Sequence, residues 1–432
     1  RPAAGLALGP EAEAECAELE EAATQLARGL ALQAREESLL PDASLAALEE
    51  QAMETYRRSQ GVAEHVEAET PAEVVLLTYE DFRALRDELP GPMKVLLRAR
   101  EFLRLPRDSK GRVSSQEVFR RIHNTTCSMR TRTQLKYYDA EGKGYLREQD
   151  LENYLYDFID NIPSLASMID SFLPFYVYTA VRRFVFFLDP RRTGRISVAK
   201  LANSAVMEEF YEIVSLDGED EVEGAARNWF SLENTLRVYN SYLELDVDQN
   251  GMLSKSEFSK YGMRNLVHLT PAFVDALFEE ALTYRTGDAS SGKSEHEMDY
   301  KTFLDFVLAF ENRRSPQSIA FLFRVLDFRR NGHLSDFELC YFIHDLLELL
   351  ASKGQVVPER EDVLQEIFDM VGPESPGLLT LKDLLRCRVG HLVLSILIDV
   401  QGFILYDNRE SLAGGLEDGI GDERGPDRYD PL

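Results

Sequence analysis

Residues 246–258 read DVDQNGMLSKSEF: two aspartates and an asparagine at alternating positions, then a glycine, then a glutamate six residues further on. A twelve-residue EF-hand loop wraps oxygen ligands around a calcium ion from positions 1, 3, 5, 7 and 12, and needs glycine at position 6 for the sharp turn. Asp246, Asp248 and Asn250 supply side-chain oxygens, Gly251 the turn, Met252 its backbone carbonyl, and Glu257 a carboxylate able to chelate through both oxygens. Ser254, at position 9, would act through water. A cluster of Asp, Asn and Gly between helices is otherwise an ordinary turn signal, because those residues adopt left-handed or self-bonded conformations cheaply. That reading leaves the glutamate unexplained. Calcium binding by Asp246, Asp248, Asn250, Met252 and Glu257 is therefore expected.

The flanks complete a helix, loop, helix unit. LRVYNSYLELD places Val238, Tyr239, Tyr242 and Leu243 on one helical stripe, and Phe258 and Tyr261 begin a second apolar face before Gly262. EF-hands seldom stand alone, since the apolar residue at position 8 lies in a short strand that pairs with its twin in a neighbouring hand. The frame around Leu253 recurs at Leu77 (LTYEDF), Val113 (GRVSSQEV), Leu146 (GYLREQDL), Ile196 (GRISVAKL), Met298 (EMDYKTF), Leu334 (GHLSDFEL) and Leu379 (GLLTLKDL). Such a repeat predicts an all-α fold: an elongated array of paired EF-hand-like helix-loop-helix units with short two-stranded pairings between loops. Leu253 with Met298 forms the third pair.

The expected segments are an Ala/Glu-rich N-terminal stretch, helical or disordered, over 1–38, and an EF-like pair over 39–130. Then follow a degenerate pair over 131–215, the pair with the calcium loop 246–257 over 225–312, and a degenerate pair over 313–407. A disordered acidic, glycine-rich tail over 408–432 closes the chain.

Most of these hands are expected to be empty. The loop Asp139 to Asp150 has Glu141 at position 3 but Lys143 at position 5 and ends in a shorter acid, which allows at most weak, magnesium-like binding. The loop Asp327 to Glu338 has Asn331 and Gly332 in place, yet Arg329 puts a cation where a carboxylate belongs. The loop from Asp189 carries Arg191, Arg192 and Lys200, unsuited to a dication. The Met298 hand lacks the position-6 glycine, ends in Thr302, and serves as a metal-free partner.

Composition bounds the function. With 432 residues, 44% of them hydrophobic, a single small domain is excluded. Seventy-five acids against 48 basic residues, a net charge of −27, argue against nucleic acid or anionic membrane partners and favour cations or basic proteins. Cys16, Cys127, Cys340 and Cys387 never occur in C-x-x-C spacing, so free thiols in a reducing compartment are expected. The chain starts at Arg1 without a methionine, which suggests a fragment. HLVLSILIDVQGFILY, from His391 to Tyr406, is interrupted by Asp399 and Gln401 and is shorter than the roughly 20 residues a span needs, so it reads as buried core. Residues 94–136 oppose the overall charge, with twelve Lys and Arg against three acids. They read as a solvated helical face or, more sharply, a docking surface for an acidic partner. Trp229 reads as core. Nothing resembles a nucleophile elbow, a P-loop, a kinase signature or H-E-x-x-H, and the seven histidines form no i, i+4 pair. Catalysis by this chain alone is not expected.

Taken together, YVYTAVRRFVFFLDPRRTGRI, NWFS, LELDVDQNGMLSKSEF, MDYKTFLDFVLAFENR, EIFDMV and SILIDVQGFILYDNRE resemble the B-double-prime regulatory subunits of protein phosphatase 2A, in particular the gamma-type and plant TONNEAU2-like branch. The likeness runs from about residue 70 to residue 412. It implies a non-catalytic subunit that binds the phosphatase scaffold and catalytic subunits and directs serine/threonine dephosphorylation. It also implies cytoplasmic and nuclear residence, with links to centrosomes or microtubule arrays. The calcium ligands carry over to Asp246, Asp248, Asn250, Met252 and Glu257. A different class of function, an EF-hand structural adaptor at microtubule-organising sites acting without the phosphatase, is the alternative.

Overall fold

The computed structural model describes residues 10–37, 76–88, 94, 97–139, 141–159, 162, 165, 168–215, 228–263, 267–281, 283–286 and 295–408. The expectations for 39–75 and for the acidic tail from 409 onward fall outside the described residues.

In chain order the elements are α1 (Pro10–Glu37), β1 (Leu76–Leu77), α2 (Tyr79–Glu88), α3 (Ala99–Arg104), β2 (Val113–Ser114), α4 (Ser115–Tyr138), β3 (Tyr145–Leu146), α5 (Glu148–Ile159), α6 (Leu173–Leu188), β4 (Ile196–Ser197), α7 (Val198–Ala202) and α8 (Ala205–Ser215). There follow α9 (Leu232–Leu245), β5 (Leu253–Ser254), α10 (Lys255–Phe258), α11 (Pro271–Glu280), β6 (Thr283–Thr286), β7 (Glu295–Met298), α12 (Tyr300–Glu311), α13 (Pro316–Leu326), β8 (His333–Ser335), α14 (Asp336–Ser352), α15 (Arg360–Val371), β9 (Leu378–Thr380), α16 (Leu381–Arg386), α17 (Gly390–Ile398) and α18 (Val400–Asp407). Helices dominate and the strands are short, as the all-α class requires.

The strands pair antiparallel through the eight apolar positions read from the sequence. Leu77 stands opposite Val113, Leu146 opposite Ile196, Leu253 opposite Met298 and Leu334 opposite Leu379. All eight are buried. Each strand alone leaves its backbone groups unpaired and its apolar side chain wet; pairing with a twin satisfies both at once. Six of the loops turn on a glycine two residues before that apolar position: Gly111, Gly144, Gly194, Gly251, Gly332 and Gly377, with φ between 71° and 82°. A side chain there would be strained, which is why the position recurs as glycine. The third pairing departs from the two-stranded expectation. β6 joins the far edge of β7, giving the order β5-β7-β6, and the Thr-Tyr-Arg-Thr sequence of β6 suits a strand.

The chain forms two compact units. The first comprises Arg1–Phe158 and Gly194–Glu208 and holds the β1–β2 and β3–β4 pairs. Phe82, Phe102, Val118 and Ile122 pack with Leu77 and Val113 into its apolar cluster. The long helix α1 buries Leu32 and anchors through Arg28, whose guanidinium donates to the Lys136 carbonyl at 2.6 Å. Four of the twelve basic side chains in the basic run pair with its own acids. Glu101 pairs with Arg100 at 2.8 Å and with Arg104 and Arg121 at 3.5 Å, while Asp108 takes Arg112 at 2.8 Å.

The second unit comprises Ile159–Thr193 and Glu209–Leu432. The rings of Tyr242, Phe258, Tyr261, Phe303 and Phe306 meet at centroid distances of 4.9 to 6.1 Å beneath the third sheet's loops. Aromatic edge-to-face contacts of this kind add to the burial of large apolar surface. Trp229 is core: its indole N–H donates to the Thr179 carbonyl at 3.1 Å. The run from His391 to Tyr406 becomes two helices that meet at Asp399. α17 is mostly buried, whereas α18 buries Val400, Phe403 and Tyr406 and leaves Leu405 exposed, so the expected buried core holds for the first helix and one face of the second. The Asp399 carboxylate accepts backbone N–H bonds from His268, Gln401 and Gly402 at 3.0, 3.1 and 3.2 Å. Among the described residues no helix is long and apolar enough to cross a membrane. Cys340 and Cys387 are free thiols.

Candidate metal centre

Helix α9 delivers the first ligand. Ser231 caps its start by accepting the Asn234 N–H at 3.1 Å, and Thr235, Val238, Tyr242 and Leu245 form its buried stripe. The stripe expected from the sequence is corrected at one position: Leu243 is 47% exposed, because the helix turns Leu245 inward instead. α9 ends at Asp246, whose N–H still bonds the Tyr242 carbonyl.

The loop then folds around the Asp246 carboxylate. Its Oδ1 accepts the Asn250 N–H at 3.1 Å and its Oδ2 the Gly251 N–H at 3.0 Å. Asp248 accepts both the backbone N–H and the side-chain amide of Asn250 at 3.1 Å, and the Asn250 Oδ1 accepts the Met252 N–H at 2.7 Å. Gln249 and Gly251 both take positive φ, 58° and 79°, which curls successive oxygens toward one centre. From the far side, Glu257 is the third residue of the single turn α10. Its Oε2 accepts the Ser254 N–H at 2.9 Å and hydroxyl at 2.8 Å, while its Oε1 crosses the loop to the Val247 N–H at 2.9 Å.

One carboxylate oxygen from each of Asp246, Asp248 and Glu257 lies within 4.8 Å of the others, the only such grouping of three metal-ligating side chains among the described residues. Asn250 is bonded to both aspartates of that group, and Met252 joins the loop through its N–H on the Asn250 oxygen. Burial, joined by the charge of Asp248, pushes the Asp246 carboxyl up despite its two N–H donors. Burial pushes Glu257 the same way, but the donors from Ser254, Val247 and Asp248 outweigh it and hold that carboxyl below its usual range. The donor set is entirely oxygen and carries three negative charges in a confined loop, which fits a hard dication of the calcium class.

One neighbour was not singled out in the sequence. Glu297, on β7 directly opposite Ser254, accepts a bond from the Asn250 side-chain amide at 3.3 Å. The register that pairs Leu253 with Met298 already implies that placement.

The remaining loops differ in how their acids are used. Asp139 accepts N–H bonds from Lys143 and Gly144, with the Arg28 guanidinium 3.8 Å away, and Glu141 is held by Lys143 and Arg147. Its terminal Asp150 stays at its own helix, taking the Arg147 N–H at 2.8 Å. Asp189 closes on the Thr193 N–H and hydroxyl. In the fourth pair, Asp327 accepts from Asn331 and Gly332, and Glu338 from Ser335. The Arg329 guanidinium, expected among the loop oxygens, lies instead over the Phe337 ring at 4.4 Å, where the exposed aromatic face attracts it.

An EF-hand domain family matches residues 130–215. The B'' subunit gamma of serine/threonine-protein phosphatase 2A from Homo sapiens is 42% identical over 341 residues, covering 79% of this chain and 72% of that protein. A probable B'' subunit, TON2, from Arabidopsis thaliana is 34% identical over 342 residues, covering 78% and 70%. Among solved structures, a PP2A PR70 holoenzyme designated diCa matches with TM-score 0.51 and 25% identity, over 60% of this chain and 92% of the matched one.

Proposed function

The chain belongs to the B'' family of protein phosphatase 2A regulatory subunits, and on that premise we propose that it binds the phosphatase scaffold and catalytic subunits and directs their serine/threonine dephosphorylation under the influence of calcium. The relatives are regulatory subunits, and the chemistry resides in another chain. The observation that carries the calcium reading is the convergence of Asp246, Asp248 and Glu257 in one loop. Calcium would be held there by those carboxylates with the Asn250 amide oxygen and the Met252 carbonyl. Its charge relieves the crowding of like charges and ties the end of α9 to the start of α10, so that the surface of this hand pair takes one shape. The family resemblance also supports residence in cytoplasm and nucleus and attachment at centrosomes or microtubule arrays, which immunofluorescence of the tagged chain would check.

The decisive experiment is recovery of partners from cell extract by the full chain, with calcium and with chelator. Both phosphatase subunits should be recovered, in amounts that change with calcium, and Glu257→Gln should remove the change. Recovery of neither subunit at any calcium level overturns the proposal.

A further inference from the structure

We propose that Glu297 belongs to the metal centre as a positioning residue: a carboxylate lent by the neighbouring, metal-free hand that orients the Asn250 amide and adds a fourth negative charge beside the ion. The inference rests on the calcium reading of the loop and extends it from one hand to the pair.

Three observations converge. First, the register fixes the place: β7 pairs with β5 so that Glu297 faces Ser254, next to the loop's last ligands. Second, the side chain is 7% exposed, and its Oε2 is buried without a hydrogen-bond partner. Folded proteins rarely leave a carboxylate oxygen in that condition unless a cation or water completes it. Third, Oε1 accepts from Asn250 Nδ2 at 3.3 Å, and Asp248 Oδ2 accepts from the same nitrogen at 3.1 Å. An asparagine amide is nearly symmetric in shape, yet only its oxygen can ligate a metal. With the nitrogen committed to two carboxylates, the oxygen, which accepts the Met252 N–H at 2.7 Å with one lone pair, keeps its second lone pair for the cation. This is how outer-sphere partners commonly set the orientation of a ligand, and their removal costs about 10- to 100-fold in metal affinity.

The arrangement explains why a hand without ligands of its own is retained beside the filled one. Beyond closing the sheet through Met298, it supplies charge and orientation to its neighbour's ion.

The test is calorimetric calcium titration of the full chain and of Glu297→Gln, which keeps the volume and an acceptor oxygen but removes the charge. The dissociation constant should rise about tenfold, with a larger rise in Glu297→Ala. The metal-free Glu297→Gln protein should unfold at the same or higher denaturant concentration than wild type, because an unpartnered buried charge has been removed. A merely structural role would instead lower metal-free stability and leave affinity alone, and that result overturns the inference. In an Asn250→Asp background, where both ends of the side chain are oxygen, the loss caused by Glu297→Gln should shrink; an undiminished loss overturns the orienting role. Wild-type protein that gives no calcium heat defeats the metal reading itself. Wild type that binds while Glu297→Gln binds equally defeats only this inference.

Discussion

Glu257 occupies a place in its helix that recurs through the chain. Asp81, Asp150, Glu338 and Asp383 are likewise the third residue of a helix, and each accepts the N–H of the residue that precedes that helix, Thr78, Arg147, Ser335 and Thr380. The underlying device is a helix cap, which satisfies an orphan donor whether or not a metal is near. The second oxygen of Glu257 crosses its loop to the Val247 N–H, as that of Asp383 crosses to the Glu374 N–H at 3.3 Å; what sets Glu257 apart is its convergence with Asp246 and Asp248. Burial raises the Asp383 carboxyl, but the Thr380 hydroxyl and N–H, the Glu374 N–H and Arg386 outweigh it and leave it lowered. A folded value below the unfolded one means that the stabilisation is complete above about pH 3.9 and is lost as pH falls through the folded value. Asp383→Asn should therefore cost ~1 kcal/mol at neutral pH, with the difference from wild type vanishing in strongly acid solution. Thermal melts of both proteins from pH 7 down into that strongly acid range would show it, and a difference that persists there would count against the assignment.

Among the elements, α17 and α18 show how a polar residue inside an apolar run can be structural. Asp399 ends one helix and caps the next, so the run bends back within the second unit. The bend needs close backbone approach. A Cβ on Gly402 would stand 2.5 Å from the Ser395 carbonyl oxygen, and backbone cannot yield as a side-chain tip can. Gly402→Ala should destabilise the protein by about 1–3 kcal/mol, seen as a lower midpoint in chemical denaturation. An unchanged midpoint would mean the two helices separate freely. The exit helix α10 teaches the opposite lesson, since four residues suffice where Phe258 and Tyr261 are held by the aromatic core.

For the molecule as a whole, every proposed ligand lies in the second unit. A ligand that binds only the folded state stabilises it by about 2.7 kcal/mol at a hundredfold excess over its dissociation constant. Hydrogen exchange should therefore slow on calcium addition in residues 246–258 and in β7, which shares their sheet. Exchange in Val113 and Ser114, which pair with β1 in the first unit, should be unaffected. Equal protection of both units would show that the ion acts on the chain globally.

The sequence by itself determined the repeat, the helical class and the loop that gathers Asp246, Asp248 and Glu257. Those features rest on local chemistry: glycine where φ must be positive, acids at fixed offsets, and an apolar residue two positions after the turn. It also foretold which apolar residues face each other, from Leu77 with Val113 to Leu334 with Leu379, because each short strand has one buried position to match. Tertiary structure decided the rest. It turned Leu243 outward, added β6 to the third sheet, carried the Arg329 guanidinium onto Phe337, and set Glu297 against Asn250. These outcomes depend on partners distant along the chain or on which nearby surface a flexible side chain prefers, and neither is written in the spacing of a loop.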